Sequence, residues 1–271
     1  MPRAPRIQLS GATYHVTTRG DRQEAIFRDD FDRQALLSIF AQAFRRFDAN
    51  ALAYCLMGNH YHLVVRTHRA NLSDLMAHIN GVVTRKYNWR HGISGHLFQS
   101  RFHADMVDRD SYLLEVCRYV DLNPVRSKLT VHPAQWRWSS YRAHIGVSGG
   151  PAWLDSSRLH AHLLGWPPSC AAEGRRAGDM YAKFVAAGHN LPTPFTLARS
   201  VTSGTPGPEL PARAPVRQRP LQDWMNDFPT REAGLRAAHV DGGWSMTAIA
   251  RELDFSVPHI SRLIRRAEGD R

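Results

Sequence analysis

Two β-rich runs, Ala51–Met57 and Tyr61–Arg66, stand on either side of Gly58-Asn59, and no other feature narrows the fold as much. A Gly-Asn break between strand-like segments closes an antiparallel hairpin. The flanking sequence adds elements around it. Thr13–Arg19 has the composition and alternation of a strand. Asp30–Phe47 places Phe31, Leu36, Leu37, Phe40, Phe44 and Phe47 close to helical spacing, and Asn71–Arg90 does the same with Leu72, Leu75, Met76, Ile79, Val82 and Val83. His96–Val107 reads as a further strand. Asp110–Leu122 reads as a third helix, capped by Asp110 and stopped by Pro124. The order β-α-β-β-α-β-α predicts an α+β, ferredoxin-like antiparallel sheet with its helices on one face.

The chain can build such a core: 43% of its 271 residues are hydrophobic, which excludes global disorder. Its charge points to a polyanionic partner. The formal net charge is +11, and residues 1–150 carry 20 Lys/Arg against 12 Asp/Glu, so most of the positive field lies in the N-terminal half. Cys55, Cys117 and Cys170 are far apart and make neither a disulfide framework nor a thiolate zinc site. The basic N-terminus has no apolar stretch behind it, and no run is long and apolar enough to span a membrane. A cytoplasmic, nucleoid-associated setting without membrane contact is expected.

Beyond the first domain, taken as 1–150, two short helices are expected in 151–190. Residues 191–220 hold seven of the sixteen prolines and read as an extended linker. In 221–271, Ser245–Leu253, a turn at Asp254–Ser256, and Val257–Arg266 outline a helix-turn-helix. Ile249, Ala250, Leu253, Ile260 and Ile264 face inward, and Arg262, Arg265 and Arg266 outward. This unit has 7 Lys/Arg against 8 Asp/Glu, so it is expected to tether DNA through a few arginines and not through bulk charge, with a plain three-helix packing unit as the alternative.

Two constellations carry chemistry. Along Gly58-Asn59-His60-Tyr61-His62, residues i and i+2 of a strand share a face, so His60 and His62 point together while Tyr61, Leu63 and Val65 point away. Two imidazoles held by a rigid strand can share a divalent cation; a pair of partly exposed surface histidines is the alternative. On the third helix, Leu113, Val116, Cys117 and Val120 form an apolar stripe, and Tyr119 and Asn123 lie four apart on its flank. The phenol can reach a site above the sheet, with the Asn123 carbonyl offered to the same place. Taken alone, the pair reads better as an anchored core-edge tyrosine and a helix cap before Pro124.

Gly58-Asn59-His60-Tyr61-His62 resembles the HUH signature. Tyr119-Val120-Asp121-Leu122-Asn123-Pro124-Val125-Arg126 resembles the helix end of single-tyrosine HUH transposases, in particular their REP-associated branch. Tyr14–Gly20, Phe98–Phe102 and Trp136–Tyr141 agree further, so the resemblance spans roughly residues 5–146. It implies that His60, His62 and Asn123 hold Mg²⁺ or Mn²⁺ against the scissile phosphate of single-stranded or hairpin DNA. Tyr119 would then attack, leaving a 5′-phosphotyrosine and a free 3′-OH. Arg19, Arg22, Arg85, Lys86 and Arg101 are candidate phosphate contacts, each with solvated surface charge as its alternative. Trp136, Trp138 and Tyr141 are expected to cap the core, with stacking on bases as the alternative. A non-catalytic DNA-binding regulator is the competing function, and a replication initiator or relaxase shares the chemistry without the Asn-Pro-Val-Arg helix end. A monomer or homodimer is compatible with all of this.

Overall fold

The computed structural model describes residues 8–107, 110–189, 191, 219–240, 242, 244 and 246–269. Four strands, β1 (Thr13–Arg19), β2 (Ala49–Leu56), β3 (His60–Thr67) and β4 (His103–Val107), pair antiparallel in the order β2-β3-β1-β4. This is the ferredoxin-like order, with the hairpin β2–β3 closing through Gly58-Asn59. The hairpin tip is tied down. Gly20 N–H donates to the Asn59 carbonyl at 2.8 Å and Ile26 N–H to the Gly58 carbonyl at 3.0 Å. A Cβ on Gly20 would sit 2.2 Å from the Glu24 carbonyl oxygen, so only glycine allows the approach.

Helices α1 (Asp30–Phe47) and α2 (Leu72–His91) cover one face of the sheet, with Leu36, Phe40, Leu75 and Ile79 packed on Tyr14, Val16, Tyr61, Leu63 and Val65. The α+β class and the antiparallel sheet are as expected. The placement of every helix on one face is not: α3 (Asp110–Arg126) lies on the other face, where Leu113, Val116, Cys117 and Val120 pack on Ala53, Cys55, Met57 and Val64. The reason is in the strands. Ala51–Leu56 and Leu63–Val65 are apolar at consecutive positions, so both faces of the sheet require cover. Burying a side chain such as Val116 or Val120 contributes about 2 kcal/mol, so exposing this second face would be costly.

Two boundaries are also corrected. The strand expected over His96–Val107 pairs as a ladder only from His103. Residues 97–99 run past the end of β1, where Asp21 N–H donates to the Leu97 carbonyl and Gln99 N–H to the Arg19 carbonyl. Pro124 does not stop α3, which continues to Arg126. Proline costs that turn one backbone bond, but Leu122 and Val125 are buried there and hold it against the core. The helix begins at Asp110; the side chain of Asp110 is outside the described ones, so its cap is too.

Helices α4 (Tyr141–His144), α5 (Ser156–Leu164) and α6 (Ala171–Ala187) extend the second layer. Asp121 of α3 is fully buried among them. Ser140 Oγ donates to it at 2.7 Å and Tyr181 OH at 2.8 Å, while burial pushes its carboxyl up to about 7. Most of the proline-rich stretch lies outside the described residues. After it come α7 (Leu221–Asn226), α8 (Arg231–Val240), α9 (Met246–Glu252) and α10 (Val257–Gly269). Ile249, Ala250, Ile260 and Ile264 are buried as expected, and Leu253 is half-buried. These helices rest against the N-terminal part of the chain: a Cβ on Gly11 would meet the Val240 side chain at 3.3 Å. No helix among the described residues is long and apolar enough to cross a membrane.

Candidate active site

Strand parity and register build the floor of the site. His60 and His62 occupy the β3 face turned toward α3, with ring centres 5.0 Å apart. Antiparallel pairing sets Thr17 opposite His62 and Arg19 opposite His60, so β1 brings His15, Thr17 and Arg19 to the same face. His15 is buried and stacks on His62 with ring centres 5.3 Å apart; its Nε2 lies 3.0 Å from His62 Nδ1. Thr17 Oγ1 lies 3.2 Å from the same nitrogen.

α3 supplies the roof. The Tyr119 ring meets His62 edge to face at 5.6 Å and His15 at 5.9 Å. The side chain of Asn123, one turn on, is close enough to both the His62 ring and the Tyr119 phenol to act on their proton equilibria, and its Nδ2 donates to the Tyr119 carbonyl at 2.9 Å. Thus His60, His62, Tyr119 and Asn123, from two elements about 60 residues apart, converge on one place between sheet and helix.

Electrostatics suit cation binding. Burial, with Arg19 adding to it, lowers His60 to about 4. Burial, then His15, His60 and Arg19, holds His62 well below the ordinary imidazole range. Both rings are therefore neutral near pH 7 and offer lone pairs. Burial raises the Tyr119 phenol above its usual value, opposed by the Asn123 hydrogen bond and the charges of Arg126 and Arg19. Among the described residues no three His, Cys, Asp or Glu side chains gather as metal ligands. The candidate set is two imidazoles and one amide oxygen, a set that leaves coordination positions for phosphate oxygens.

The candidate DNA contacts are scattered. Arg19 stands at the site's edge, with Arg22 and Arg101 exposed in the neighbouring segments. Arg85 and Lys86 are exposed on α2, whose sheet face is opposite to Tyr119; Lys86 borders a cavity of about 320 Å³ between α1 and α2. Arg262 and Arg266 are exposed on α10, and the Arg265 side chain is outside the described ones. Trp138 and Tyr141 are buried, and Trp136 Nε1 donates to the Leu56 carbonyl at 3.1 Å, so these aromatics cap the core.

Sequence reasoning assigned no role to His15, Thr17 or Arg126. The first two follow from strand parity once β1 is paired with β3. Arg126, whose guanidinium carbon is 5.6 Å from the Tyr119 ring centre, is one turn beyond Asn123 on the segment expected to end at Pro124.

Residues 8–123 match the family described as "Transposase IS200 like". The family resemblance read from the motifs holds over these residues, which contain His60, His62, Tyr119 and Asn123. None of the curated proteins compared with the chain matches it. One similar solved structure is that of "the REP associates tyrosine transposase bound to a REP hairpin", with 16% identity, 56% of this chain and 89% of that chain covered, and a TM-score of 0.47.

Proposed function

Starting from an N-terminal segment that carries the IS200-like transposase pattern, we propose that this chain cleaves and rejoins single-stranded DNA, with hairpin DNA as the substrate class and Tyr119 as nucleophile. The observation that carries the reading is the convergence of Tyr119, His60, His62 and Asn123 on one site between β3 and α3.

The Tyr119 oxygen attacks a backbone phosphorus, and the bond from that phosphorus to the 3′ oxygen breaks. The phenol proton is lost and the departing 3′ oxygen takes one up, so the products are a 5′-phosphotyrosine and a free 3′-OH. Attack of a 3′-OH on the phosphotyrosine reverses the exchange and joins strands without a nucleotide triphosphate. His60 and His62, with the Asn123 amide oxygen, would hold Mg²⁺ or Mn²⁺; bound there, the ion polarises the phosphate and offsets its charge. Arg19 and Arg126 bring positive charge to the phenol, and Asn123 orients it. The C-terminal unit, 221–271, acts in this reading as a DNA-tethering accessory.

Full-length protein incubated with single-stranded hairpin DNA and Mg²⁺ should yield a covalent protein–DNA adduct that survives denaturing electrophoresis. Hairpin binding without any adduct, under conditions that saturate the protein, would favour the non-catalytic regulator instead.

A further inference from the structure

Each candidate ligand histidine has a dedicated partner on its Nδ1, and the two partners come from different elements. Asn59 Oδ1 lies 2.7 Å from His60 Nδ1, and Asn59 Nδ2 donates to the Gln23 carbonyl at 3.1 Å. The second bond fixes which way the amide faces. The atom presented to His60 is a carbonyl oxygen, which only accepts, so the proton belongs on His60 Nδ1 and the lone pair on Nε2. The Asn59 backbone is itself held through Gly20, and that approach is open only to glycine. On His62, His15 Nε2 at 3.0 Å and Thr17 Oγ1 at 3.2 Å converge on Nδ1; each can donate or accept, and together they hold that edge of the ring in place. The stacked ring of His15, with planes 10° apart, leaves the His62 ring little freedom to turn.

We infer that Asn59 and His15 are positioning residues: Asn59 sets the tautomer and orientation of His60, and His15 the orientation of His62, so that both Nε2 atoms face one divalent cation. A ligand imidazole that donates its other N–H to a fixed acceptor is oriented and made more basic, and removing such an acceptor commonly weakens metal affinity about 10–100-fold. The inference rests on the metal-site reading above. It goes beyond that reading by giving a hairpin-tip asparagine and a buried β1 histidine a defined task at atoms they touch.

The test uses the full-length chain and Mn²⁺ alone, with free Mn²⁺ read by electron paramagnetic resonance. Wild type should bind, and His62→Ala should lose the site. His15→Phe, which keeps a ring against Tyr119, and Asn59→Ala should each weaken affinity about tenfold or more. His15→Gln and Asn59→Asp keep an acceptor oxygen and should recover most of it. Thermal unfolding of each variant separates loss of fold from loss of the site. In metal-free wild type, ¹⁵N NMR should find His60 protonated on Nδ1. Binding by wild type with His15→Phe and Asn59→Ala unchanged would overturn this inference alone. No Mn²⁺ binding by wild type would bring down the metal reading and this inference together. Protonation of His60 on Nε2 would overturn it even if the variants failed to fold.

Discussion

Arg126 lies over the ring of Tyr119, its guanidinium carbon 5.6 Å from the ring centre, and its Nη2 donates to the carbonyls of Gly188 at 3.3 Å and Leu191 at 2.9 Å. The end of α3 is thus fastened to the segment that follows α6. Gly188 is packed so closely that a Cβ would come within 2.4 Å of the Arg118 side chain. A phenol raised by burial needs nearby positive charge to ionise, and Arg126 is held where it provides some.

Arg126→Met keeps the aliphatic stem and removes the charge. Adduct formation near neutral pH should slow about tenfold, the equivalent of about 1.4 kcal/mol, and its pH profile should move alkaline. Single-turnover rates across pH check both. An unshifted profile would mean that Arg126 only anchors the helix end.

Tyr119→Phe removes one oxygen and leaves the ring against His62 and His15. It should abolish the adduct and keep hairpin affinity close to wild type. Tyr112 is the other tyrosine of α3, about two turns or ~10 Å along the helix. Tyr112→Phe should therefore react like wild type, and an adduct from Tyr119→Phe would move the assignment to Tyr112.

His144 is fully buried, with Nδ1 3.0 Å from Ser156 Oγ, and burial, with His160 adding to it, lowers it from 6.5 to about 3. The unfolded chain takes up a proton below 6.5 that the folded chain refuses. The contribution of His144 is therefore present above that value and lost as pH falls toward 3, at a limiting slope of about 1.4 kcal/mol per pH unit. His15, His60 and His62 act in the same direction. His144→Gln should flatten the acid limb by about one proton, measured as denaturant-unfolding free energy against pH. A slope equal to wild type would show that His144 is not refused its proton.

The hairpin and the pairing of His60 with His62 were legible because both follow from local rules: a Gly-Asn break and the two-residue period of a strand. The second helical cover was missed because the order of elements alone does not say which face a helix takes, whereas the apolar Ala53, Cys55 and Val64 on the face of His62 require one there. His15 and Thr17 escaped because their neighbourhood with His62 is set by β1–β3 register, a pairing some 45 residues apart that no local pattern contains. Arg126 escaped for a different reason. Ending the helix at Pro124 placed it in a loop, whereas burial of Val125 keeps the last turn formed and points Arg126 back over Tyr119.

Arg262 and Arg266 are exposed on α10, while Ile260 and Ile264 of the same helix face the core. If this helix tethers DNA, the two guanidinium groups pair with backbone phosphates. Removing one such pairing should lower the salt slope of binding by about one. Replacing both arginines with Glu in the full-length chain should weaken binding to hairpin DNA with long flanks and reduce that slope by about two or more. Adduct yield at saturating hairpin DNA should not change, because the proposed chemistry needs only Tyr119, His60, His62 and Asn123, which stand on β3 and α3. The packing of Val240 beside Gly11 adds a second arm. Val240→Asp should loosen the unit from the first domain without altering Arg262 or Arg266, so long-flank affinity should fall while the salt slope stays near wild type. An unchanged salt slope in the double arginine variant would show that α10 does not touch DNA. A drop in adduct at saturation would show that the C-terminal unit supports the catalytic domain directly.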